Sequence, residues 1–544
     1  MKRRLIAAGL IVLLIAFLAL AQDRADLAAI YKIKGEGLNR SQVMEIASFL
    51  SDVYSPRLAG SPSLRKAGDW VQKKLKDWGF ENVHAEKYDF GRSWELRKFA
   101  AHMIEPVYSP LIAWPKAWTP GISGAVRAEA IRVEINSEAD LEKYQGKLRG
   151  LFVLSQPARE VEARFTPQGS RYTDEELRNL AKAPEPGQMN RFEQMMRRPG
   201  GPGMPNRQLS RKIAEFFVSE GVAAVLEPSR GDGGTVFVGS GGERGKNAPA
   251  VAPQVVVAVE HYNRMCRILD KNMKVQLELE IQAQYLTDDT NDYNIIAEFP
   301  GTDKKDEIVM LGGHFDTWHA ATGATDNSAG CAIAMEAMRI LKAAGLKPRR
   351  TVRLALWGGE EEGLLGSRAY VNEHFASRPA PPADMQGDPE AARRYRMSME
   401  RTPPTLKPEH AKLSAYYNYD NGTGKIRGIY LQGNEEVRPI FESWLQPFHD
   451  MGAATVTIRN TGGTDHQSFD AAGLPGFQFI QDEVEYSSRT HHSNMDVYDR
   501  LQRGDLMQSA VIMASFVYHT AMRDEKLPRK PLPAPRPPQT TNAQ

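Results

Sequence analysis

Cysteine is almost absent from this chain: its 544 residues contain two, Cys266 and Cys331. An exported protein of this size that relied on disulfides would carry more. Both cysteines fall in apolar helical patterns, so two buried thiols are expected and a catalytic cysteine is not. A charge excess of one sign is lacking too. Lys and Arg number 69 against 67 Asp and Glu, a formal balance of +2, and no basic domain stands out, which argues against nucleic acid as a partner. There is no His-Glu-x-x-His helix, no Gly-x-Ser-x-Gly elbow and no Walker A loop. "VGSGGERGKN" (238–247) is glycine-rich and basic but lacks the phosphate-binding spacing. The long apolar run, Leu5 to Ala21, follows Lys2, Arg3 and Arg4 and ends in Ala-Leu-Ala. That pattern predicts a signal peptide over residues 1–21 and an exported protein, periplasmic or secreted after cleavage. A membrane is a partner only if this segment stays uncleaved.

What is present has an ordinary globular composition, 41% hydrophobic and 25% charged. The length predicts two domains plus tails. Apolar spacing predicts helices over 41–54 and 63–78, within an N-terminal part spanning 22–106. From 107 to 286 short β-type runs such as "GLFVLS" and "APQVVVAV" predict a separate, mostly β module interrupted by one helix at 212–219. Its Pro-, Gly- and Met-rich stretch at 183–209 is expected to be a surface excursion. From 287 to 525 strands and helices alternate, which predicts an α/β fold with a mixed, mostly parallel sheet flanked by helices. An insertion at about 376–408 reads as a decorated loop, and the Pro-rich end, 526–544, cannot build a core.

In an open α/β sheet ligands bind beyond the carboxyl ends of the strands. His314 and Asp316 follow the first predicted strand of this region, and Glu360 and Glu361 the second. Asp420 follows the next, His491 and His492 the last, and Asp326 opens the helix that leaves the first. Buried charges are costly unless paired or metal-bound. Imidazoles with carboxylates, and no thiolate, suit zinc. More than three ligating groups suggest two ions about 3.5–4 Å apart, bridged by a carboxylate, a role that suits the central Asp326. Asp316, two residues from His314, is expected to accept the imidazole's other N–H. Of the pair Glu360-Glu361, one side chain can bind metal while the other faces the attacking water.

Taken together, "GGHFDTW…GATDNSAG", "LALWGGEEEGLLGS", "YDNGTG" and "HHSNMD" resemble the zinc peptidases of the M28 family, over about residues 40–105 and 290–520. The β module resembles the protease-associated (PA) domain inserted in carboxypeptidase Q-like and glutamate carboxypeptidase-like members, with "APAVAPQVVVAVEHYNRM" as its exit. The resemblance implies that His314, Asp326, Glu361, Asp420 and His492 bind two Zn2+ ions, with Asp326 bridging and Glu360 as general acid/base. His492 is preferred to His491 because Asp496 follows it at the family's His-x-x-x-Asp spacing. His491 stands where relatives often carry a Tyr that binds the reacting carbonyl oxygen, and takes that role here. Asp465, beside His466, is expected to support the site through a hydrogen bond. A cis peptide at Asp326-Asn327 is also implied.

The function expected is that of an exported di-zinc exopeptidase acting on peptides, with an aminopeptidase favoured on family frequency. A dipeptidase or carboxypeptidase of the same family, a glutaminyl-cyclase-like transferase and a non-enzymatic receptor are the alternatives. The β module is of a kind that often serves homodimerisation or access to the site.

Overall fold

The computed structural model describes residues 23–184, 207–382, 395, 399 and 402–532. The leader expected at 1–21 lies outside the described residues. So do most of the 183–209 stretch, much of the 376–408 insertion and the tail from 533 onward.

Two eight-stranded sheets organise the chain. The first is built from β1 (Glu81–Asp89), β2 (Asn291–Phe299), β3 (Lys304–His314), β4 (Arg350–Trp357), β5 (Leu413–Asn418), β6 (Ile426–Tyr430), β7 (Thr455–Thr457) and β8 (Gly476–Gln481). Its spatial order is β1-β2-β4-β3-β5-β8-β6-β7. The centre is parallel, β3 pairing with β4 and β5, and β5 with β8. β2 and β6 flank it antiparallel to β4 and β8. Val309, Met310 and Leu311 of β3 are fully buried, as a strand covered on both faces requires, so this run shows no polar alternation. Four parallel strands ending on one edge bring together everything that follows them in sequence.

The helices cover this sheet. Helix Ala329–Ala343 is buried along nearly its whole length, with Arg503–Met522 against it. Helix Pro62–Asp77 starts where Ser61 accepts the backbone N–H of Leu64 at 3.2 Å with Pro62 at its first position, a standard N-terminus. The segment predicted as one helix over 41–54 is an α-helix, Val43–Ser48, that widens into a turn, Phe49–Val53. A helix at Leu27–Asn39 has no counterpart among the helices predicted from apolar spacing. Its Gly35 and Gly37 look like helix breakers, yet a Cβ at Gly37 would meet Val511 at 2.4 Å and Ile340 at 2.8 Å. That glycine is a close-packing contact. Among the described residues no helix is long and apolar enough to cross a membrane.

The second sheet runs Ser109–Pro110, Ser93–Glu105, Gln276–Leu286, Val126–Arg132, Phe152–Leu154, Ala224–Pro228, Gln254–Val257, Ala113–Pro115. It departs from the expected boundary at 107, because strand Ser93–Glu105 pairs with Gln276–Leu286 along almost its full length. The change of texture at 107 marks where the strands become short, whereas the unit itself begins with this long pair. Among its described residues it carries the α-helices Asp174–Ala181, Arg207–Glu220 and Val259–Leu269, where one helix was expected. Cys266 is buried in the last of them and Cys331 in the first unit, both as free thiols.

The two units meet at the parallel edge. Phe237 forms a β-bridge with Ser493, and the Val238 backbone N–H donates to the His492 carbonyl at 2.9 Å. The Val236 N–H donates to Asn494 Oδ1 at 2.7 Å.

Candidate metal centre

Strand register assembles the site. His314, the last residue of β3, pairs with Trp357, and Gly312 pairs with Asn418. Glu360 and Glu361 lie just beyond Trp357, and Asp420 just beyond Asn418, so all arrive at one edge. The glycine pair ahead of His314 is dictated by close approach: a Cβ at Gly312 would meet the Ala355 carbonyl oxygen at 1.8 Å. Asp326 comes from a wide turn, Ala324–Ser328, that feeds helix Ala329–Ala343, and the Asp326-Asn327 peptide is cis. His491 and His492 follow the turn Tyr486–Thr490. His492 sits at φ +61°, in the left-handed region, which costs an L-residue about 1–2 kcal/mol. The bond from Val238 to its carbonyl helps hold it there.

Asp326 is the hub. Its Oδ1 lies 3.1 Å from His314 Nε2, and its Oδ2 lies 3.3 Å from His492 Nε2. His314 Nε2 is also 3.5 Å from Asp420 Oδ1, and His492 Nε2 is 2.7 Å from Glu361 Oε2. The donor atoms of His314, Asp326 and Glu361 fall within 4.8 Å of one another, and so do those of Asp326, His491 and His492. His491 thus stands in one donor group with its neighbour: its ring is 3.8 Å from that of His492, and its Nε2 3.9 Å from Asp326 Oδ2.

The electrostatics of this cluster suit a cation. Asp326 Oδ2 and Glu361 Oε1 are buried and make no directed hydrogen bond. Burial first, and then neighbouring carboxylates, push both Glu360 and Glu361 well above the usual range. Burial would raise Asp326 too, but the hydrogen bond from His314 and the surrounding imidazoles hold it low. Burial and the charge of His492 push His491 down to about 4. A cation among these oxygens and nitrogens inverts this logic, stabilising carboxylates and neutral imidazoles together. Thiolate chemistry is remote: Cys331 Sγ donates to the His314 carbonyl at 2.9 Å, and burial pushes its thiol up to about 12.

Asp316 departs from its expected role. The His314 Nδ1 contact is the Asp316 main-chain carbonyl at 3.0 Å, while the nearest carboxylate oxygen is 3.7 Å away. That carboxylate instead accepts the backbone N–H groups of Glu360 at 3.1 Å and Glu361 at 3.2 Å. Asp316 pins the loop that presents both glutamates. The difference arises because β3 and β4 end side by side, which brings the Glu360-Glu361 amides within reach. Asp465 is fully buried and its carboxyl is pushed up to about 7, first by burial, but it bonds to none of the five candidate ligands. His466 bonds Thr461 O at 3.1 Å and contacts Gln432 Nε2 at 3.0 Å, away from the centre.

Three contacts go beyond what the motifs imply. Trp318 Nε1 donates to Glu361 Oε2 at 2.8 Å. Tyr486 OH donates to Asp326 Oδ1 at 3.0 Å and its ring packs against His491. Asp496, in the sequence no more than a spacing marker, accepts the backbone N–H groups of Thr325 at 2.6 Å and Asp326 at 3.1 Å. Trp318 and Asp496 fall inside the motifs quoted above; nothing marks a tyrosine 160 positions from its partner. Tyr486→Phe is expected to keep the fold and weaken metal binding about 10–100-fold, the usual cost of losing a partner that orients a metal ligand. Competition with a chromogenic chelator measures it, and unchanged affinity would remove Tyr486 from the site.

Comparison with known proteins points the same way. A family model described as peptidase family M28 matches residues 294–517. Carboxypeptidase Q of Mus musculus is 26% identical over 504 residues, covering 91% of this chain and 89% of that protein. Among solved structures, a peptidase M28 precursor from Shewanella amazonensis aligns with a TM-score of 0.62 at 23% identity, covering 93% of this chain and 98% of that one. A zinc aminopeptidase from Bacillus subtilis aligns with a TM-score of 0.53 at 16% identity, covering 89% and 95%. At these identities the structural likeness speaks for the fold.

Proposed function

We propose that this chain, whose residues 294–517 match the model of peptidase family M28, is a zinc-dependent exopeptidase whose centre takes two ions. The observation that carries this reading is the division of Asp326, whose two oxygens face two different imidazoles. His314 and Asp420 would hold one ion with Oδ1, and His492 and Glu361 the other with Oδ2. The donor set, nitrogen and carboxylate oxygen without sulfur, suits zinc. Bound zinc supplies Lewis acidity to the scissile carbonyl and lowers the pKa of the attacking water.

The chain's own groups do the rest. Glu360 takes the proton from the attacking water and hands it to the departing nitrogen. Asp316 fixes the Glu360 backbone, and Asp496 fixes that of Asp326. His491, at the open side of Asp326 Oδ2, is assigned as donor to the carbonyl oxygen. We read the second sheet as a PA-type module and residues 1–21 as a leader removed on export.

Family frequency favours removal of N-terminal residues. The relative aligned over 91% of this chain is named a carboxypeptidase, which favours the other end, and a dipeptidase satisfies both. One dipeptide, offered with both ends free, with the amine blocked and with the carboxyl blocked, decides among them. We expect cleavage that a chelator abolishes and zinc restores. Cleavage tolerating only a blocked amine means a carboxypeptidase, and cleavage tolerating only a blocked carboxyl an aminopeptidase. A need for both free ends means a dipeptidase. Cleavage indifferent to chelator would end the metal reading.

A further inference from the structure

The loop that carries His491 and His492 has little regular structure of its own. Pairing of β8 ends at Gln481, and from there to Asp496 the chain adds no strand to the first sheet. Its two isolated β-bridges, at Val484 and Ser493, both go to the second unit. Within this stretch His492 takes φ +61°, a conformation that persists only where its surroundings over-determine it. On one flank the residues 236–238 supply that support, through the bonds to His492 and Asn494.

On the other flank it comes from a segment that the proposed chemistry does not use. Residues 164–182 follow strand Phe152–Leu154 of the second unit. They start on that unit, where Arg164 grips Asp232 through both carboxylate oxygens, at 2.7 and 2.9 Å. They then cross to the first. Gln168 accepts the Ser488 hydroxyl on its carbonyl at 2.7 Å and Arg489 Nη1 on its side chain at 3.2 Å. Ser170 and Val484 exchange both backbone bonds at 2.8 Å. Arg171 Nη1 lies 2.9 Å from Asp482 Oδ2 and 2.7 Å from Asp505 Oδ2, and the Tyr172 N–H donates to Asp482 Oδ1 at 3.0 Å. Beyond them helix Asp174–Ala181 lies along β7, where the Thr457 hydroxyl donates to the Leu180 carbonyl at 2.6 Å.

These contacts bracket Tyr486, whose carbonyl accepts the His491 N–H at 2.9 Å. A shift at 482–489 is therefore passed directly to the histidine pair. His314 and Asp420, by contrast, stand at the ends of β3 and β5, fixed by the parallel ladder itself. We infer that residues 168–172 are a latch through which the second unit positions the loop of His491 and His492, and so sets the affinity of one of the two ions. Arg171, tying Asp482 to Asp505, is its positioning residue. The metal part of this inference rests on the proposed two-ion centre; the latch does not.

Chelator competition on the full-length protein reads the two zinc affinities separately. Arg171→Ala, and Ser170→Pro, which removes the N–H that Val484 accepts, should each weaken one ion by about 10–100-fold, the cost of losing a partner that orients a ligand, and leave the other unchanged. Arg171→Lys should recover part of the loss. In a His492→Ala background Arg171→Ala should weaken the remaining ion no further, since both changes act on the same half. Phe165, 93% exposed between Arg164 and Gln168, provides the control: Phe165→Ser should alter neither affinity. Amide exchange on the metal-free protein gives a second readout, expected to quicken over 482–494 in both latch variants and to stay unchanged in β3. Selective loss of one ion in a protein that cleaves no peptide would keep this inference and refute the peptidase reading. If the wild type holds no zinc, quickened exchange over 482–494 keeps the latch and refutes the metal reading, and unchanged exchange overturns the latch as well. Where zinc is held, equal weakening of both ions, or wild-type affinities in both latch variants, would overturn the inference.

Discussion

Glu360→Gln is expected to retain the wild-type zinc content and to lose about 10²–10⁴-fold in kcat, the usual contribution of a positioned acid/base group. Glutamine has the same shape but cannot take up and release the proton. The backbone bond from Glu360 to Asp316 does not depend on the side chain, so the loop should stay in place. Glu361, 2.7 Å from His492, is untouched by the change. Zinc by atomic absorption and single-substrate kinetics on the same preparation check both halves. A metal-replete variant with near-normal turnover would remove Glu360 from the mechanism. Loss of zinc would make it a ligand instead.

Asp326→Ala should fail differently, losing metal and activity together. Among the described residues no other side chain reaches both His314 and His492, at 3.1 and 3.3 Å. Removing it unties both halves of the centre and strips Tyr486 of its acceptor. We expect zinc affinity to fall well beyond the roughly 10–100-fold typical of losing a partner that only orients a ligand, with turnover at background. Because alanine leaves a buried gap, Asp326→Asn serves as the shape-preserving control and should also fall short of full zinc occupancy. Two tightly held zinc ions in Asp326→Ala would refute the bridging role. Thermal melts with and without zinc distinguish unfolding from metal loss, since bound metal stabilises only the native state that holds it.

Much of this site is legible in the sequence alone. "GGHFD", "GEEEG" and "NYDNG" each place carboxylates or imidazole directly behind an apolar run, and strand ends are where open α/β sheets bind ligands. Those signals are local, spanning a few residues, so they survive in a linear reading. Where the structure departs from that reading, the cause is distance along the chain. Sequence proximity pairs Asp316 with His314, whereas its carboxylate serves the amides of Glu360 and Glu361, which lie 44 and 45 positions away. The helix Leu27–Asn39 is hidden because its glycines read locally as breakers, although packing against Val511 and Ile340 is what requires Gly37.

By itself, then, the sequence determined which residue types exist, where strands stop, and hence that imidazoles and carboxylates would crowd one edge of a parallel sheet. The tertiary structure decided the partnerships. It turned the two oxygens of Asp326 toward different histidines, supplied Tyr486 and Trp318, and brought Phe237 of the second sheet against Ser493, next to His492. The physical reason is that periodicity and turn chemistry are written within a few residues, whereas a contact across many tens or hundreds is set by register and sheet order. Such pairings leave no local trace, because each partner is chosen by a surface that exists only once the chain has closed.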